Sequence, residues 1–317
     1  METLRYCIRK LIYSLPLLLG VTLISFILMV YFGPDKTYSL LGRNPTIAEI
    51  NEIRHQLGYD QSFFVRYLEY MHQVFTFDFG YSDSTGEKVT SILSKTIPVS
   101  LALQAPGFII GHLLGIGLAL LAAHHRGTFV DKLVMSSSVV GMSISYLIVI
   151  IVTQLVFCSS YGLNLFPVYG WEVNSFSNYV YYTTVPTISA VFVAVGYNTR
   201  FYRAILVEET TKDHIRTAKA FGHTPTTILL KHVLKNALIP IITRIIFSIP
   251  FVVIGGSLLL ESYFGIPGVG LVTYDAITTG DLPVLKAVIV LVTFLFIAVI
   301  SIVDVLYRMV DPRISLK

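Results

Sequence analysis

The stretch LIYSLPLLLGVTLISFILMVYF, residues 11–32, contains no charged residue. Because a helix rises about 1.5 Å per residue, roughly 20 apolar residues cross the hydrocarbon core of a bilayer. Arg5, Arg9 and Lys10 precede the stretch, and Gly33-Pro34 follows it without a small-x-small cleavage site. A secretory signal peptide has a shorter apolar region and a cleavage site, so we interpret this stretch as an uncleaved membrane anchor.

The rest of the chain repeats this pattern. Only 13% of its residues are charged, against about 25% in soluble proteins, and 54% are hydrophobic. This composition excludes a disordered chain and argues against a soluble domain. We therefore predict an all-α polytopic membrane protein with six transmembrane helices. Beyond the first span, the charge-free runs are 97–123, 133–157 and 179–199, and two shorter runs, 245–260 and 287–303, are extended by residues 237–243 and by the flanks of the last run.

The basic residues predict the orientation. Most of the 23 Lys and Arg residues fall before residue 11, in 124–132, in 200–244 or after residue 306. Positively charged loops stay in the cytoplasm, so both termini are expected on the cytoplasmic side of the membrane. This distribution counts Arg244 among the cytoplasmic basic residues.

The predicted spans divide the chain into four parts. These are an N-terminal tail with the first helix (1–32), an external insert (33–96), a transmembrane core (97–306) that includes a cytoplasmic loop at 200–239, and a cytoplasmic tail (307–317).

Two helices are predicted in the external insert. Thr46 and Glu49 form a capping box at the start of the first, and Gly58 ends it. In the second, Phe64, Leu68, Met71 and Phe75 recur at helical spacing. Such apolar faces suit the bilayer surface, a partner protein or the chain's own spans, and the sequence leaves these three alternatives open.

The loop at 200–239 is the most informative segment, because connections of this length without a function are uncommon. It contains ETTKDHIRTAKAFGHTPTTILLKHVLKNALIP. Residues 215–221 predict a short helix that Gly222 ends in a left-handed conformation. Thr224 is placed as the N-cap of a second helix, with Pro225 at its first position. A helix–glycine turn–helix unit is a suitable shape for docking another protein.

This loop resembles the EAA loop of permease subunits of ABC importers. Arg216-Thr217-Ala218 stands where that loop has Glu-Ala-Ala, which loses the glutamate, and Gly222 lies in register. The loop sequence is similar to that of the dipeptide/oligopeptide/nickel importer branch. The long insert after span one is similar to that of the first of the two permeases in such importers. Further similar segments are Gln56-Leu57-Gly58, Phe79-Gly80-Tyr81-Ser82, Thr85-Gly86, Ile97-Pro98, Pro267-Gly268-Val269-Gly270, Asp304-Val305-Leu306-Tyr307 and Asp311-Pro312-Arg313.

The resemblance implies that the chain works in a multi-subunit transporter of a bacterial or archaeal plasma membrane. Its partners would be a second homologous permease, two cytoplasmic ATPase subunits and an external substrate-binding protein. The chain lacks a Gly-x-x-x-x-Gly-Lys-Ser/Thr loop, so ATP and Mg²⁺ are expected on the ATPase subunits, with no cofactor or metal on this chain, and the chain is not expected to be an enzyme. No nucleic-acid partner is expected.

The same resemblance assigns an ATPase-coupling role to part of the loop. The alternative is a basic loop that contacts anionic lipid. The residues assigned to coupling are Ile215, Arg216, Thr217, Ala218, Lys219, Ala220, Phe221, Gly222, Thr224 and Pro225. Arg216 and Lys219 are expected to pair with acidic groups of an ATPase, and Ala218 and Gly222 to permit close contact with it.

Two other candidate sites lie in the core. His112 is an ionisable residue inside span two, which indicates a place on the translocation path or a hydrogen bond to neighbouring backbone. The segment with Glu261, Gly265, Pro267, Gly268 and Gly270 is a candidate external gate or binding-protein contact, or else a simple re-entrant or surface turn.

Other function classes have less support in the sequence. A secondary transporter usually contains inverted repeats, and a membrane-embedded hydrolase needs a nucleophile–base or metal constellation; neither pattern is visible. Within the importer branch, a dipeptide, a longer peptide or a metal chelate remains open as the substrate, with peptide favoured.

Overall fold

The computed structural model describes the backbone of residues 2–33, 35, 37, 41, 45–250 and 256–310, and the side chains of residues 13–33, 35, 37, 41, 45–250 and 258–303. Within this part of the chain, five helices are long and apolar enough to cross a bilayer, and a bent helix pair counts as a sixth span if it crosses as one. This confirms the predicted all-α membrane fold. Asp311-Pro312-Arg313 and the rest of 311–317 lie outside the described residues.

The chain divides into two compact units, Met1–Lys95 with Val272–Ala298, and Thr96–Leu271 with Val299–Lys317. In the first unit, α1 (Glu2–Phe32) is followed by α2 (Ile47–Gln56) and α3 (Phe63–Thr76). The predicted capping box is confirmed, because the Glu49 N–H donates to Thr46 Oγ1 at 3.3 Å and the Thr46 N–H donates to Glu49 Oε2 at 2.7 Å.

Of the four residues on the apolar face predicted for α3, only one packs within the chain, so the bilayer surface and a partner protein stay open for the other three. Phe64, Leu68 and Phe75 are exposed, and of that set only Met71 is buried. Helix α3 packs on α1 through its other aromatic rings. The Phe26 ring lies 5.4 Å from the ring centroids of Phe63 and Tyr70, and 5.5 Å from that of Tyr67. The insert therefore contacts the chain's own first span, which is one of the three alternatives.

A second contact in this unit fixes the segment after α3. Asp281 Oδ2 accepts hydrogen bonds from Ser82 Oγ at 2.5 Å, from Ser84 Oγ at 2.9 Å and from the Ser84 N–H at 3.2 Å. Burial alone would raise the pKa of this carboxyl. The hydrogen bonds together lower the pKa by more than burial raises it, so it lies below the usual 3.8. The motif Phe79-Gly80-Tyr81-Ser82 is thus held by a carboxylate distant in sequence.

The second unit contains α4 (Val89–His124, from Thr96 onward), α5 (Phe129–Ser143), α6 (Tyr146–Phe157) and α7 (Phe176–Glu209). The sequence predicted one span at 133–157, and the structure has two helices there, which count as one span if the bent pair crosses as one. Helices α5 and α6 meet at 95°, because Ile144 is extended and Ser145 starts a new helix.

Helices α5 and α7 are joined by a forked ion pair. Arg203 Nε lies 2.6 Å from Asp131 Oδ1, and Arg203 Nη2 lies 2.6 Å from Asp131 Oδ2. Both Asp131 oxygens are used, and the Gly127 N–H donates to Oδ2 at 2.9 Å. Such two-point pairs fix geometry as well as adding energy.

The last helices are α8 (Asp213–Ala220), α9 (Pro225–Pro250, which includes a π-helical turn over Ile228–Val233), α10 (Gly256–Phe264), α11 (Val269–Thr279) and α12 (Leu282–Val310). Helix α9 begins at Pro225, before the predicted start of span five at residue 237, and residues 251–255 lie outside the described residues. Most of the predicted loop at 200–239 is helical, and only 210–212 and 221–224 lie between the helices. The predicted tail also starts later, because α12 runs to Val310.

Candidate functional site

The segment between α7 and α9 folds as predicted. Helix α8 ends at Ala220, and Gly222 adopts φ +77°, a left-handed conformation that side chains rarely adopt. Thr224 then caps α9, since its Oγ1 accepts from the Thr227 N–H at 3.3 Å, and Pro225 occupies the first position. The sequence signals were strong here because caps and turns depend on nearby residues.

One face of this unit is buried in the chain itself. Ile215 is 1% exposed and Ala218 is 5% exposed, and both pack in a cluster with Tyr202, Leu206 and Val233. Ala218 was predicted to allow close contact with a partner, and this is wrong for the described conformation because its methyl group faces the core. Ile215 also packs in the core and anchors α8 there. Burying a side chain such as Ile contributes about 1.5–3 kcal/mol, so α8 is held firmly.

A polar cluster also holds α8. Glu209 is buried at the end of α7, and its carboxylate pairs with Lys212. His214 Nε2 lies 3.4 Å from Glu209 Oε1 and 3.0 Å from Asn236 Nδ2. The cluster thereby connects α7, α8 and α9. Sequence analysis did not single out these residues, since their pairing depends on the tertiary fold.

The opposite face of the unit is open. Phe221, a large apolar ring, is 79% exposed. Arg216 Nη1 lies 3.3 Å from Asp213 Oδ1. Because both side chains are exposed, the guanidinium remains accessible to an acidic partner. The exposed residues of the predicted coupling set are Arg216, Thr217, Lys219, Ala220, Phe221, Gly222, Thr224 and Pro225.

The segment around Glu261 forms a buried turn. Glu261 is fully buried, and its Oε1 accepts from Ser100 Oγ at 2.6 Å. Its Oε2 accepts from the N–H groups of Gly270 at 2.6 Å and Leu271 at 3.1 Å. These N–H groups belong to the first turn of α11, where a carboxylate satisfies donors that have no partner within the helix. Glu261 therefore acts as the cap of α11.

The glycines of this turn are required by close packing. Gly265 adopts φ +63°, and a Cβ atom there would lie 1.9 Å from the Tyr169 ring. At Gly268 a Cβ atom would lie 2.3 Å from Glu261 Oε2. Gly268, Gly270 and Glu261 are buried, so a direct contact of these three with a binding protein is wrong for this conformation, and Pro267 is the exposed member of the set.

A mostly apolar cavity opens between α4, α6, α7 and α9. Its volume is about 270 Å³. Gln104, His112, Asn198, Arg244 and Ser248 contribute the polar groups that bear on function, among apolar neighbours. All of these residues lie in helices that are long and apolar enough to cross a membrane.

His112 lines this cavity but uses both ring nitrogens within the chain. Its Nδ1 lies 2.7 Å from the Tyr202 hydroxyl and 3.2 Å from Asn198 Nδ2, and Nε2 lies 3.2 Å from Ser248 Oγ. Because Asn198 Nδ2 also donates to the Gly111 carbonyl, the network assigns Nδ1 as an acceptor and the proton to Nε2. His112 therefore positions Tyr202, Asn198 and Ser248, and it is bonded to side chains where backbone was the predicted alternative.

Arg244 is a cavity residue that sequence analysis did not identify as a candidate site. It was counted with the cytoplasmic basic residues, yet it lies within the membrane-length helix α9 and lines the cavity. The available signal was its position between the apolar runs 237–243 and 245–260, because a charged residue inside a span marks a functional site by default.

Two family descriptions match this chain. "Binding-protein-dependent transport system inner membrane component" matches residues 115–316, and the N-terminal part of such a membrane component matches residues 3–104. Among curated proteins, the dipeptide transport system permease protein of Bacillus subtilis (strain 168) is 31% identical over 313 residues, which cover 98% of each chain. The glutathione transport system permease protein of Salmonella paratyphi A is 29% identical and covers 99% of this chain and 100% of its own.

A solved structure is also similar. It shows inward-facing conformations of the MetNI methionine ABC transporter and matches with a TM-score of 0.56 at 20% identity. The match covers 70% of this chain and 97% of the other chain. At this identity the likeness shows the fold alone.

Proposed function

We propose that this chain, which belongs to the family of inner membrane components of binding-protein-dependent transport systems, forms half of the pathway through which an ATP-driven importer moves peptides. The peptide substrate is supported by relatives that are named dipeptide and glutathione permeases and that align along nearly the whole chain. The other half would be a second permease of similar build. An external binding protein would deliver the substrate, and both termini would lie in the cytoplasm.

The observation that carries this proposal is the two-faced unit of α8 and the Gly222 turn. Its inner face is anchored in the core by Ile215 and Ala218, whereas its outer face presents the exposed ring of Phe221. A surface that is rigidly mounted and apolar at its centre is suited to docking another protein. We infer that the docked protein is an ATPase subunit, which would bind ATP and Mg²⁺.

This arrangement offers a route for coupling. If closure of two ATPase subunits displaces α8, the buried contacts and the Glu209–His214–Asn236 cluster pass the displacement to α7 and α9. Rigid elements with two discrete arrangements transmit such movements. Basic Arg216 and Lys219 at the rim would favour an acidic cleft on the ATPase.

The test is Phe221→Ser in the complete transporter, purified with its ATPase subunits and reconstituted with its binding protein. Loss of a ring that becomes buried at an interface costs about 1.5–3 kcal/mol, so we expect ATPase co-purification and ATP-driven peptide uptake to fall about tenfold or more. The matched control is Phe64→Ser, because Phe64 is 76% exposed but lies in the insert.

The control should change neither quantity more than about twofold. If the Phe221→Ser variant took up peptide and co-purified with the ATPase subunits as well as the wild type does, the docking role would be contradicted. Absence of peptide uptake by the wild-type assembly, with nucleotide hydrolysis intact, would contradict the peptide substrate. Ala218→Asp is unsuited to this test, because it would place a charge in the core.

A further inference from the structure

We propose that the cavity lined by Arg244 and Gln104 binds the terminal carboxylate of a peptide in transit. This inference rests on the proposed function, and it adds the chemical group that the membrane part of the transporter recognises. It is carried by the donors and acceptors of the cavity.

Arg244 supplies the positive charge. Among the side chains that the structure describes, no carboxylate lies within 4.0 Å of its guanidinium, and its nearest recorded contact is the Phe201 ring, 5.2 Å from the guanidinium carbon to the ring centroid. The Arg244 side chain is exposed, so a ligand can reach its guanidinium. A carboxylate that arrives in the cavity would pair with it well, since the guanidinium fork matches its two oxygens.

Gln104 supplies a second open donor. Its side chain is 5% exposed, and Nε2 has no hydrogen-bond partner among the described residues. A buried donor left in this state destabilises the fold. Because Gln104 and Arg244 line one cavity, two donors there await acceptors.

The remaining polar groups narrow the ligand further. His112 uses both of its ring nitrogens within the chain, so it shapes the cavity without offering a free acceptor. An ionised carboxylate offers acceptors only, which complements two open donors. A peptide amino terminus offers donors and a positive charge, and Arg244 would repel it. The cavity volume of about 270 Å³ suits the end of a peptide, being below the ~300–1,000 Å³ of drug-sized pockets.

The test compares uptake of labelled dialanine with uptake of its C-terminal amide by the reconstituted transporter. The measured quantity is the ratio of acid to amide uptake at saturation of the binding protein, in wild type and in Arg244→Gln. Because the binding protein is the same in both, its own preference cancels. We expect Arg244→Gln to lower acid uptake tenfold or more and amide uptake less than twofold, so the ratio should collapse.

The matched control is Arg200→Gln, since Arg200 is exposed on α7 next to Met142 and does not line the cavity. Its ratio should equal that of wild type. An unchanged ratio in Arg244→Gln would overturn the inference. Failure of the wild-type assembly to take up either peptide would instead contradict the proposed function.

Charge rescue provides a second measurement that needs no amide substrate. In a chain with Cys7→Ser and Cys158→Ser, Arg244→Cys should lose dialanine uptake. A thiol reagent that attaches an ethylammonium group should restore at least a third of the uptake, whereas one that attaches an ethylsulfonate should restore none. Equal effects of the two reagents would also overturn the inference.

Discussion

The Glu261 turn and the Arg244 cavity both place an ionised side chain among apolar helices, but they treat its hydrogen bonds differently. Glu261 is 0% exposed, and its oxygens accept from Ser100 and from two backbone N–H groups of α11. Arg244 faces a cavity and lacks a carboxylate partner in the described part of the chain. A buried charge with satisfied hydrogen bonds fixes structure. The Arg244 side chain is exposed, so its guanidinium is accessible to a ligand.

This difference separates two consequences of mutation. Substitution at the satisfied site should reduce stability, because several donors lose their acceptor together. Substitution at the open site should leave stability nearly unchanged and alter transport. The following predictions test this contrast on the detergent-solubilised transporter, from the largest change in unfolding free energy to the smallest.

Glu261→Ala should have the largest effect. Three donors, Ser100 Oγ and the N–H groups of Gly270 and Leu271, would lose their acceptor. At about 1–3 kcal/mol for each buried donor, we expect a loss of at least 3 kcal/mol, measured by thermal unfolding. The control is Ser262→Ala, because the Ser262 hydroxyl only returns a hydrogen bond to Leu258 and Leu259 of its own helix. Equal stability of the two variants would refute the capping role.

His112→Leu should have an intermediate effect. The Tyr202 hydroxyl would lose the acceptor at 2.7 Å, while Asn198 would keep the Gly111 carbonyl. We expect destabilisation of about 1–3 kcal/mol, again by thermal unfolding. His125→Leu is the control, since that imidazole is partly exposed, forms a hydrogen bond only with the Leu121 carbonyl among the described residues and lies 4.8 Å from the neighbouring His124 ring. A His112 variant as stable as the control would show that the network contributes little.

Gln104→Met should have the smallest effect on stability and the opposite sign. The substitution removes a buried donor that has no partner, so we expect a gain of up to about 1 kcal/mol. Peptide uptake should nevertheless fall severalfold if Nε2 contacts the substrate. Gln154→Met is the control, because Gln154 Nε2 donates to the Val168 carbonyl at 2.8 Å and its removal should destabilise by about 1 kcal/mol. A loss of stability in Gln104→Met would show that its amide is satisfied.

Local signals in the sequence were sufficient for part of the fold. The Thr46–Glu49 capping box, the left-handed Gly222 and the Thr224-Pro225 helix start all depend on residues within one turn of each other, and all were confirmed. Apolar runs likewise predicted most spans, because a bilayer requires a continuous helix of about 20 residues.

Features that depend on tertiary contacts were not predictable in this way. Periodicity placed Phe64 and Leu68 on one apolar face of α3 without saying what that face contacts, and the helix packs on Phe26 through Tyr70. The bend between α5 and α6 lies in an unbroken apolar run, so hydropathy did not reveal it. Charge counting grouped Arg244 with the cytoplasmic residues, because that rule addresses the side of the membrane and not the cavity that a side chain lines.

The continuity of α9 has a thermodynamic consequence. Nineteen residues separate Pro225, beside the exposed turn, from Arg244, which at about 1.5 Å per residue is roughly 28 Å of one helix. A tilt of about 10° about one end would shift the other by about 5 Å, more than a hydrogen bond tolerates. If a peptide binds at Arg244 and an ATPase subunit that binds nucleotide docks at the turn, the two binding equilibria would be linked. Each ligand would then change the affinity of the other by the same factor.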